Sequence, residues 1–302
     1  MEKNILKTKD ITKKYSNAII LDNINMTIEK GDIYGLIGKN GAGKTTLIRI
    51  ITGLIDSSKG SIELFNSTNL KLGRKRIGAI VEYPALYMSL TAQQNLEYYR
   101  IERGIVEKNK INECLDLVGL TDTGKKKVKN FSLGMKQRLS LAIAILGNPD
   151  FIILDEPING LDPIGIIEIR NIIKRLNEEL GITILISSHI LTELSHIATK
   201  YGIVNDGKLI KQLTKEELEN ECKKSLLIKV DDVSRALTVI ERELKTTNYI
   251  VINDKELRLF EYLDDSDKVV KILINNKVSV RSITETTADL EEYFREVIGE
   301  DK

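Results

Sequence analysis

The sequence predicts an α/β fold with a mostly parallel core sheet, followed by a smaller α+β domain. Two continuous apolar runs, at residues 151–154 and 182–186, are typical of strands that are buried on both faces of a parallel sheet. Residues 164–180 between them predict a crossover helix that ends at Gly181. A strand at 33–37, a glycine-rich turn at 38–43 and a helix over 44–52 form one half of a βαβ unit.

The remaining segments of the first domain, which we place at residues 1–220, follow from the same patterns. Residues 5–15 and 19–28 predict strands, and the turn residues 30–32 follow them. Residues 90–119 carry apolar side chains at spacings of three and four, which indicates helices. We therefore expect a helical subdomain at about residues 85–135.

Residues 221–302 predict a separate accessory domain. Strands are expected at 226–230, 249–252, 257–262 and 278–283, with helices at 233–244 and 269–274. This β-α-β-β-α-β order is the split βαβ pattern, and a last helix is expected at 288–298. The charged residues 216–224 are expected to form the linker, and no motif in this domain indicates its role.

Composition and charge argue against several classes of protein. The chain has 302 residues, with 45 Lys plus Arg against 44 Asp plus Glu, and a dedicated nucleic-acid binder usually carries a basic excess. No apolar run approaches the roughly 20 residues of a membrane helix, and the charged N-terminus lacks a signal-peptide core. Two distant cysteines, Cys114 and Cys222, are expected to be free thiols in a reducing cytosol. Any role at a membrane therefore requires a partner.

Residues 38–45, G-K-N-G-A-G-K-T, match the phosphate-binding loop pattern G-x-x-x-x-G-K-[ST]. Its glycines let backbone N–H groups turn towards phosphate, and the helix that follows adds its positive end. Lys44 is expected to reach the β- and γ-phosphates, and Thr45 to ligate Mg²⁺. The predicted nucleotide-binding residues of this loop are Gly38, Asn40, Gly41, Gly43, Lys44, Thr45 and Thr46.

Two acidic residues, Asp155 and Glu156, directly follow the buried run 151–154. A carboxylate at the end of a buried strand can complete the Mg²⁺ shell opposite Thr45, and we assign that role to Asp155. Glu156 is the candidate that polarises the attacking water.

With these motifs the chain resembles the ATP-binding cassette family, and specifically the nucleotide-binding subunit of a transporter. Residues 131–135, F-S-L-G-M, stand where the family signature Leu-Ser-Gly-Gly-Gln is expected. Residues 159–162 resemble the family's D-loop, and His189 in the run Ser187-Ser188-His189 occupies the place of the switch histidine. Tyr15 stands where the family stacks an aromatic ring on adenine. The resemblance covers about residues 1–215.

The resemblance implies a P-loop NTPase cassette that hydrolyses ATP with Mg²⁺, built from a mostly parallel core sheet, an antiparallel β-subdomain and a helical subdomain. It implies a head-to-tail pair with a second copy or a paralogous cassette, in which Ser132 and Gly134 contact the partner's nucleotide while His189 holds the γ-phosphate. It also implies a separate transmembrane permease, which would keep the subunit at the cytoplasmic face of the cell membrane.

One position departs from the family pattern. In residues 80–84, I-V-E-Y-P, Glu82 replaces the usual Gln, and an ionised Glu only accepts hydrogen bonds and adds negative charge near Mg²⁺. Glu82 and the altered signature resemble the branch that exports, or protects against, lantibiotics and bacitracin-like peptides. Glu82 is therefore a candidate catalytic and metal-ligating residue, and drift at a tolerant position is the alternative.

Two other functions stay open at this stage. A soluble cassette ATPase that acts on ribosomes or nucleic acid often contains two cassettes or a long coiled coil, whereas this chain has one phosphate loop and no heptad run. An ATP-binding regulator without turnover is disfavoured by the presence of Glu156 and His189. We therefore expect an ATPase subunit that drives a permease and has no nucleic-acid partner.

Overall fold

The computed structural model describes residues 3–16, 18–82, 86–222, 224–287 and 290–299. The chain divides into two compact units, Met1–Lys215 and Glu216–Lys302. The sequence places this boundary between residues 220 and 221. No helix in the described ranges is long and apolar enough to cross a membrane.

The first unit alternates strands and helices along the chain. Its elements are β1 (Asn4–Tyr15), β2 (Ala18–Glu29), β3 (Ile33–Ile37), α1 (Lys44–Thr52), β4 (Lys59–Leu64), α2 (Leu70–Arg74), β5 (Ile77–Ile80), α3 (Ala92–Glu102), α4 (Lys110–Leu117), α5 (Leu133–Ile145), β6 (Phe151–Asp155), α6 (Pro163–Glu178), β7 (Thr183–Ser188), α7 (Leu191–Ser195), β8 (Lys200–Asn205) and β9 (Lys208–Thr214).

A six-stranded sheet in the order β5-β6-β7-β3-β8-β9 forms the centre of this unit. Its strands run parallel except for the antiparallel pair of β8 and β9. Every residue of β3, β6 and β7 is buried, as the continuous apolar runs predict. Because parallel strands end at one edge of a sheet, the segments after β3, β6 and β7 meet there, and Gly38 N donates to Ser188 O at 3.3 Å.

A second sheet, β2-β1-β4, is antiparallel and confirms the strands predicted at 5–15 and 19–28. Its inward side chains share a hydrophobic core with α1, including Ile24, Met26, Leu47 and Ile51. Burying α1 against this sheet fixes the position of the helix whose first turn follows the glycine-rich loop.

The helical region consists of α3, α4 and α5. The first two lie within residues 90–119, where helices are expected, and α5 extends ten residues past the expected limit near residue 135. Thr91 and Gln94 form a capping box that begins α3. The chain leaves the helix at Gly104, whose φ of +67° is a left-handed conformation that glycine adopts without strain. A glycine inside an apolar pattern therefore separates two helices here.

The second unit begins within α8 (Lys215–Glu221). It then contains β10 (Lys224–Val230), α9 (Val233–Val239), β11 (Tyr249–Asn253), β12 (Glu256–Leu259), α10 (Ser266–Asn275), β13 (Val280–Thr287) and α11 (Leu290–Ile298). Its antiparallel sheet has the order β11-β12-β10-β13, and the predicted β-α-β-β-α-β order is confirmed. Apolar residues of α9 and α10 pack with those of the sheet in one core.

Three details of this unit differ from the sequence prediction. The expected linker is mostly the helix α8, because Leu218 is buried and Glu216 and Glu217 in the first turn favour a helix N-terminus. The helix predicted at 233–244 continues from α9 as a π-helical turn over Ile240–Leu244. The last helix, predicted from residue 288, is α11, and residues 288 and 289 lie outside the described ranges.

Candidate functional site

The loop between β3 and α1 owes its conformation to glycine. Gly41 and Gly43 have φ values of +85° and +106°, and a Cβ atom on Gly43 would lie 2.7 Å from Leu21 Cδ2. The first helical bond of α1 runs from Leu47 N to Gly43 O at 2.9 Å, so the amides of residues 44–46 precede it. Amides in this position, at the positive end of a helix, form an anion-binding site.

Lys44 is held at the centre of this loop. Its Nζ donates to Gly38 O at 2.6 Å and to Lys39 O at 3.2 Å, and lies 3.2 Å from Glu156 Oε1. The side chain is only 5% exposed, so its charge is stabilised by these oxygens rather than by water. The ammonium group is therefore positioned beside the amides of the loop.

Glu156 lies one residue beyond the end of β6 and has a φ of +47°, which is uncommon for a non-glycine residue. Its Oε1 faces Lys44, and its Oε2 lies 2.8 Å from His189 Nδ1. A contact through Nδ1 leaves Nε2 as the ring nitrogen that can bind a second group. Lys44, Glu156 and His189 come from three separate segments of the chain. The fold brings them together, and Glu156 contacts both of the other residues.

Asp155 is the last residue of β6 and is 5% exposed. Ser187 Oγ donates to Asp155 Oδ1 at 2.6 Å and accepts from Glu156 N at 2.9 Å. One hydroxyl group therefore fixes both acidic residues. Sequence reasoning gave Ser187 no role, although it stands two residues before His189 in the motif.

The side chains near this cluster suit Mg²⁺. Asp155 and Thr45 supply a carboxylate and a hydroxyl oxygen, and Mg²⁺ prefers oxygen ligands. Within the described ranges there is no group of three His, Cys, Asp or Glu side chains arranged to hold a metal ion. Mg²⁺ is commonly bound by one or two protein groups together with substrate phosphates and water, and Asp155 and Thr45 offer two such groups.

Glu82 contacts the helix α1. Its carboxylate contacts the guanidinium group of Arg49, and both side chains are partly exposed. Glu82 also has a φ of +60°, so the backbone is constrained where the chain leaves β5. Residues 83 and 84, part of the motif that singled out Glu82, lie outside the described ranges. Arg49 carries no motif, and the sequence gives no signal for this pairing.

The signature residues begin α5. Ser132 is the N-cap, and its Oγ accepts a hydrogen bond from Met135 N at 3.2 Å. Gly134 lies in the first turn, and a Cβ atom added there would have no neighbour within 4 Å. Ser132 and Gly134 therefore stand at an open helix N-terminus, on a different element from the Lys44 cluster.

Tyr15 and Asn40 are exposed. The Tyr15 ring is 49% exposed and lies 4.8 Å, from ring centroid to atom, from Lys13 Nζ. Lys13 lies over one face of the ring, so stacking on adenine would use the other face or displace this ammonium group. The proposed adenine contact of Tyr15 stays a prediction.

Comparison with known proteins identifies the family. The model of the ABC transporter family matches residues 21–159. The bacitracin transport ATP-binding protein BcrA of Bacillus licheniformis is 43% identical over 298 residues, which cover 98% of this chain and 97% of that protein. The chain belongs to the ATP-binding cassette family of transporter ATPases. Its family and fold are as the sequence predicts.

Other relatives of this ABC ATPase are also transport ATP-binding proteins or cassettes. The lantibiotic transport ATP-binding protein SrtF of Streptococcus pyogenes is 45% identical over 216 residues, covering 72% of this chain and 93% of that protein. A cassette solved as a post-hydrolysis dimer with ADP and phosphate is 26% identical, with a TM-score of 0.63, over 70% of this chain and 98% of that one. The cassette cbiO1 of Clostridium perfringens is part of an ABC transporter complex. It is 26% identical, with a TM-score of 0.66, and the match covers 81% of this chain and 97% of cbiO1.

Proposed function

We propose that this ABC ATPase powers a separate membrane permease that confers resistance to antimicrobial peptides of the lantibiotic or bacitracin type. The observation that supports hydrolysis most directly is the set of contacts from Lys44 through Glu156 to His189. These contacts support a site in which an ammonium group, a carboxylate and an imidazole act together beside a helix N-terminus.

Each residue has a distinct role in this proposal. Lys44 and the amides of residues 44–46 bind the β- and γ-phosphates of ATP, and Glu156 orients the attacking water. His189 is held through Nδ1 and presents Nε2 to the γ-phosphate. Thr45 and Asp155 hold Mg²⁺, which when bound neutralises charge on the phosphates.

The second half of the site comes from another cassette. In our proposal Ser132 and Gly134 at the start of α5 contact the nucleotide that is bound to Lys44 of a second copy or a paralogue. A symmetric pair uses the same surface on both chains, so two sites form at once. ATP therefore stabilises the closed pair, and hydrolysis releases it.

The substrate class rests on the relatives. BcrA of Bacillus licheniformis is a bacitracin transport protein, and its similarity extends through the second unit of this chain. SrtF is named for lantibiotic transport. With a permease as partner, this subunit would work at the cytoplasmic face of the membrane.

Glu82 stays a candidate for catalysis and for binding Mg²⁺. Its carboxylate contacts Arg49, so a role at the metal requires Glu82 to leave that partner. Arg49 belongs to α1, which begins at the phosphate loop, so the pair links this loop to the segment entering the helical region. We propose that Glu82 couples nucleotide binding to the permease through this link.

The test is drug sensitivity in cells. A deletion strain is complemented with the wild-type gene, with Glu156→Gln, or with Glu178→Gln, which makes the same change at an exposed position near the end of α6. Minimal inhibitory concentrations are measured for bacitracin, for a lantibiotic and for an unrelated antibiotic. We expect deletion and Glu156→Gln to lower resistance to one of the peptides alone, and Glu178→Gln to restore it. Unchanged peptide sensitivity in the deletion strain would contradict the proposed substrate class.

A further inference from the structure

Ser187 lies on β7 directly beside Asp155, the last residue of β6. Residues paired on neighbouring strands project to the same face of a sheet, so the Ser187 hydroxyl reaches the Asp155 carboxylate. Both side chains are buried, with exposed fractions of 0% for Ser187 and 5% for Asp155. A buried hydroxyl group needs hydrogen-bond partners inside the protein, and those of Ser187 are the two acidic residues at the end of β6.

The direction of the two hydrogen bonds follows from the chemistry of the groups. The amide of Glu156 can only donate, so Ser187 Oγ accepts from Glu156 N at 2.9 Å. The single proton of the hydroxyl group then goes to Asp155 Oδ1 at 2.6 Å. Hydrogen bonds in such a chain polarise and strengthen one another. One hydroxyl group therefore ties the backbone of Glu156 to a buried carboxylate at the end of a strand.

The backbone of Glu156 needs this support. Its φ of +47° lies in the left-handed region, where a non-glycine residue stays only when its surroundings hold it there. The bond from the Glu156 amide to Ser187 fixes the peptide group that joins residues 155 and 156. The hydroxyl group thereby supports a backbone conformation that the residue type itself disfavours.

The carboxylate of Glu156 depends on that conformation. Its Oε1 lies 3.2 Å from Lys44 Nζ, and its Oε2 lies 2.8 Å from His189 Nδ1. Each oxygen has a partner on a different segment, so a rotation of the peptide group would move the carboxylate away from at least one of them. Small errors of this kind matter because catalytic groups act only in a narrow range of positions.

We propose that Ser187 is a positioning residue for ATP hydrolysis, which holds the Glu156 carboxylate where it orients the attacking water. The inference rests on the proposed role of Glu156. Ser187 acts through the amide of Glu156, with Asp155 as its fixed anchor, and does not itself bind the nucleotide. Removing the hydroxyl group should therefore slow hydrolysis and leave phosphate binding by Lys44 and the loop amides unchanged.

The first experiment measures kcat and KM for ATP on the full-length chain, below the melting temperature of every variant. Ser187→Ala should lower kcat at least about tenfold, because a misplaced acid–base residue loses much of its contribution, and should keep KM within about twofold. Ser187→Thr retains the hydroxyl group and should keep most of the wild-type kcat. Ser140→Ala removes a buried hydroxyl that donates to Lys136 O at 2.7 Å within α5, and should match the wild type. An unchanged kcat in Ser187→Ala, or an equal loss in Ser187→Thr, would overturn the proposal.

The second experiment tests whether Ser187 acts through Glu156. Single-turnover rates are compared for the wild type, Ser187→Ala, Glu156→Gln and the double variant. Ser187→Ala should change the rate by less than about twofold in the Glu156→Gln background, because the carboxylate that it positions is already gone. An equal reduction in both backgrounds would contradict the proposal. Normal turnover of Glu156→Gln alone would overturn the proposed function instead, so the two failures are distinguishable.

Nucleotide binding gives a readout that does not depend on turnover. The affinity of Ser187→Ala for a fluorescent ADP analogue with Mg²⁺ should stay within about twofold of the wild type, because Lys44 and the loop amides bind the phosphates. A dissociation constant raised by about tenfold or more would show that Ser187 shapes the phosphate or metal site, and would contradict its action through Glu156.

Discussion

The two units of this chain differ in how much their sequences disclose about function. In the first unit, short motifs on three segments meet in space, where Glu156 contacts both Lys44 and His189. In the second unit, the periodic pattern predicts the fold, but no group of reactive side chains among its described residues marks a site. The comparison shows that phosphate chemistry constrains residue identity, whereas packing a small core constrains only the polarity and spacing of residues.

The largest expected effect is on hydrolysis, in the first unit. Glu156→Gln preserves the size of the side chain and removes the acceptor that orients water, so turnover should fall about 10²–10⁴-fold. ATP binding should remain because Lys44 and the loop amides are unchanged. Turnover and binding of a fluorescent ATP analogue are measured in parallel, with Glu178→Gln as the control. Normal turnover in Glu156→Gln would remove the functional assignment from this cluster.

A smaller effect in vitro is expected at the Arg49–Glu82 pair. Both side chains are partly exposed, so Glu82→Gln should change the free energy of unfolding by less than about 1 kcal/mol. The variant should bind ATP and retain part of its turnover, while cells that carry it lose peptide resistance disproportionately. Arg49→Gln removes the partner of Glu82 but keeps its carboxylate. Comparing the two variants therefore distinguishes the loss of the ion pair from the loss of the carboxylate. Equal losses of turnover and resistance in Glu82→Gln would make Glu82 a plain catalytic residue.

Removing the second unit should change hydrolysis little. The cluster lies wholly in the compact unit of residues 1–215, so this fragment should bind ATP and turn it over at a rate comparable with the full chain. A folded fragment, verified by circular dichroism, that cannot bind ATP would show that the second unit contributes to the site.

The smallest expected effect concerns the cysteines. Burial raises the pKa of Cys114 to about 11, so little thiolate is present at neutral pH. Maleimide labelling of the native wild type should be slow at pH 7 and should accelerate about tenfold per pH unit while the chain stays folded. As a control, the introduced thiol of Thr284→Cys, at an exposed position of β13, should label rapidly at pH 7. Fast labelling of Cys114 at that pH would contradict its burial.

The sequence predicts the parallel core well because buried strands such as 151–154 have no alternative to a continuous apolar run. It predicts the residues of the phosphate loop for a similar reason, since only glycine adopts the backbone angles of Gly43 without strain. Both features depend on local chemistry that the residue types record directly.

Other features depend on contacts between distant segments. The hydroxyl of Ser187 fixes two acidic residues that lie about thirty positions earlier, and the guanidinium of Arg49 holds Glu82. Neither pairing follows from spacing along the chain, because it depends on which strands are neighbours in the sheet. The exposed edge of β11 likewise becomes visible only when the strand order is known.

The most direct test of the nucleotide site is to divide it between two chains. Lys44→Ala removes the phosphate-binding cation, and Gly134→Asp places a carboxylate at the start of α5, where a Cβ atom meets nothing within 4 Å. Each variant alone should be almost inactive, since both sites of its symmetric pair are damaged. In a mixture, the Lys44 of one chain meets the Gly134 of the other and restores one intact site per mixed pair. We predict ATPase activity clearly above the sum of the two variants alone; a mixture no more active than that sum would contradict a site shared between two cassettes.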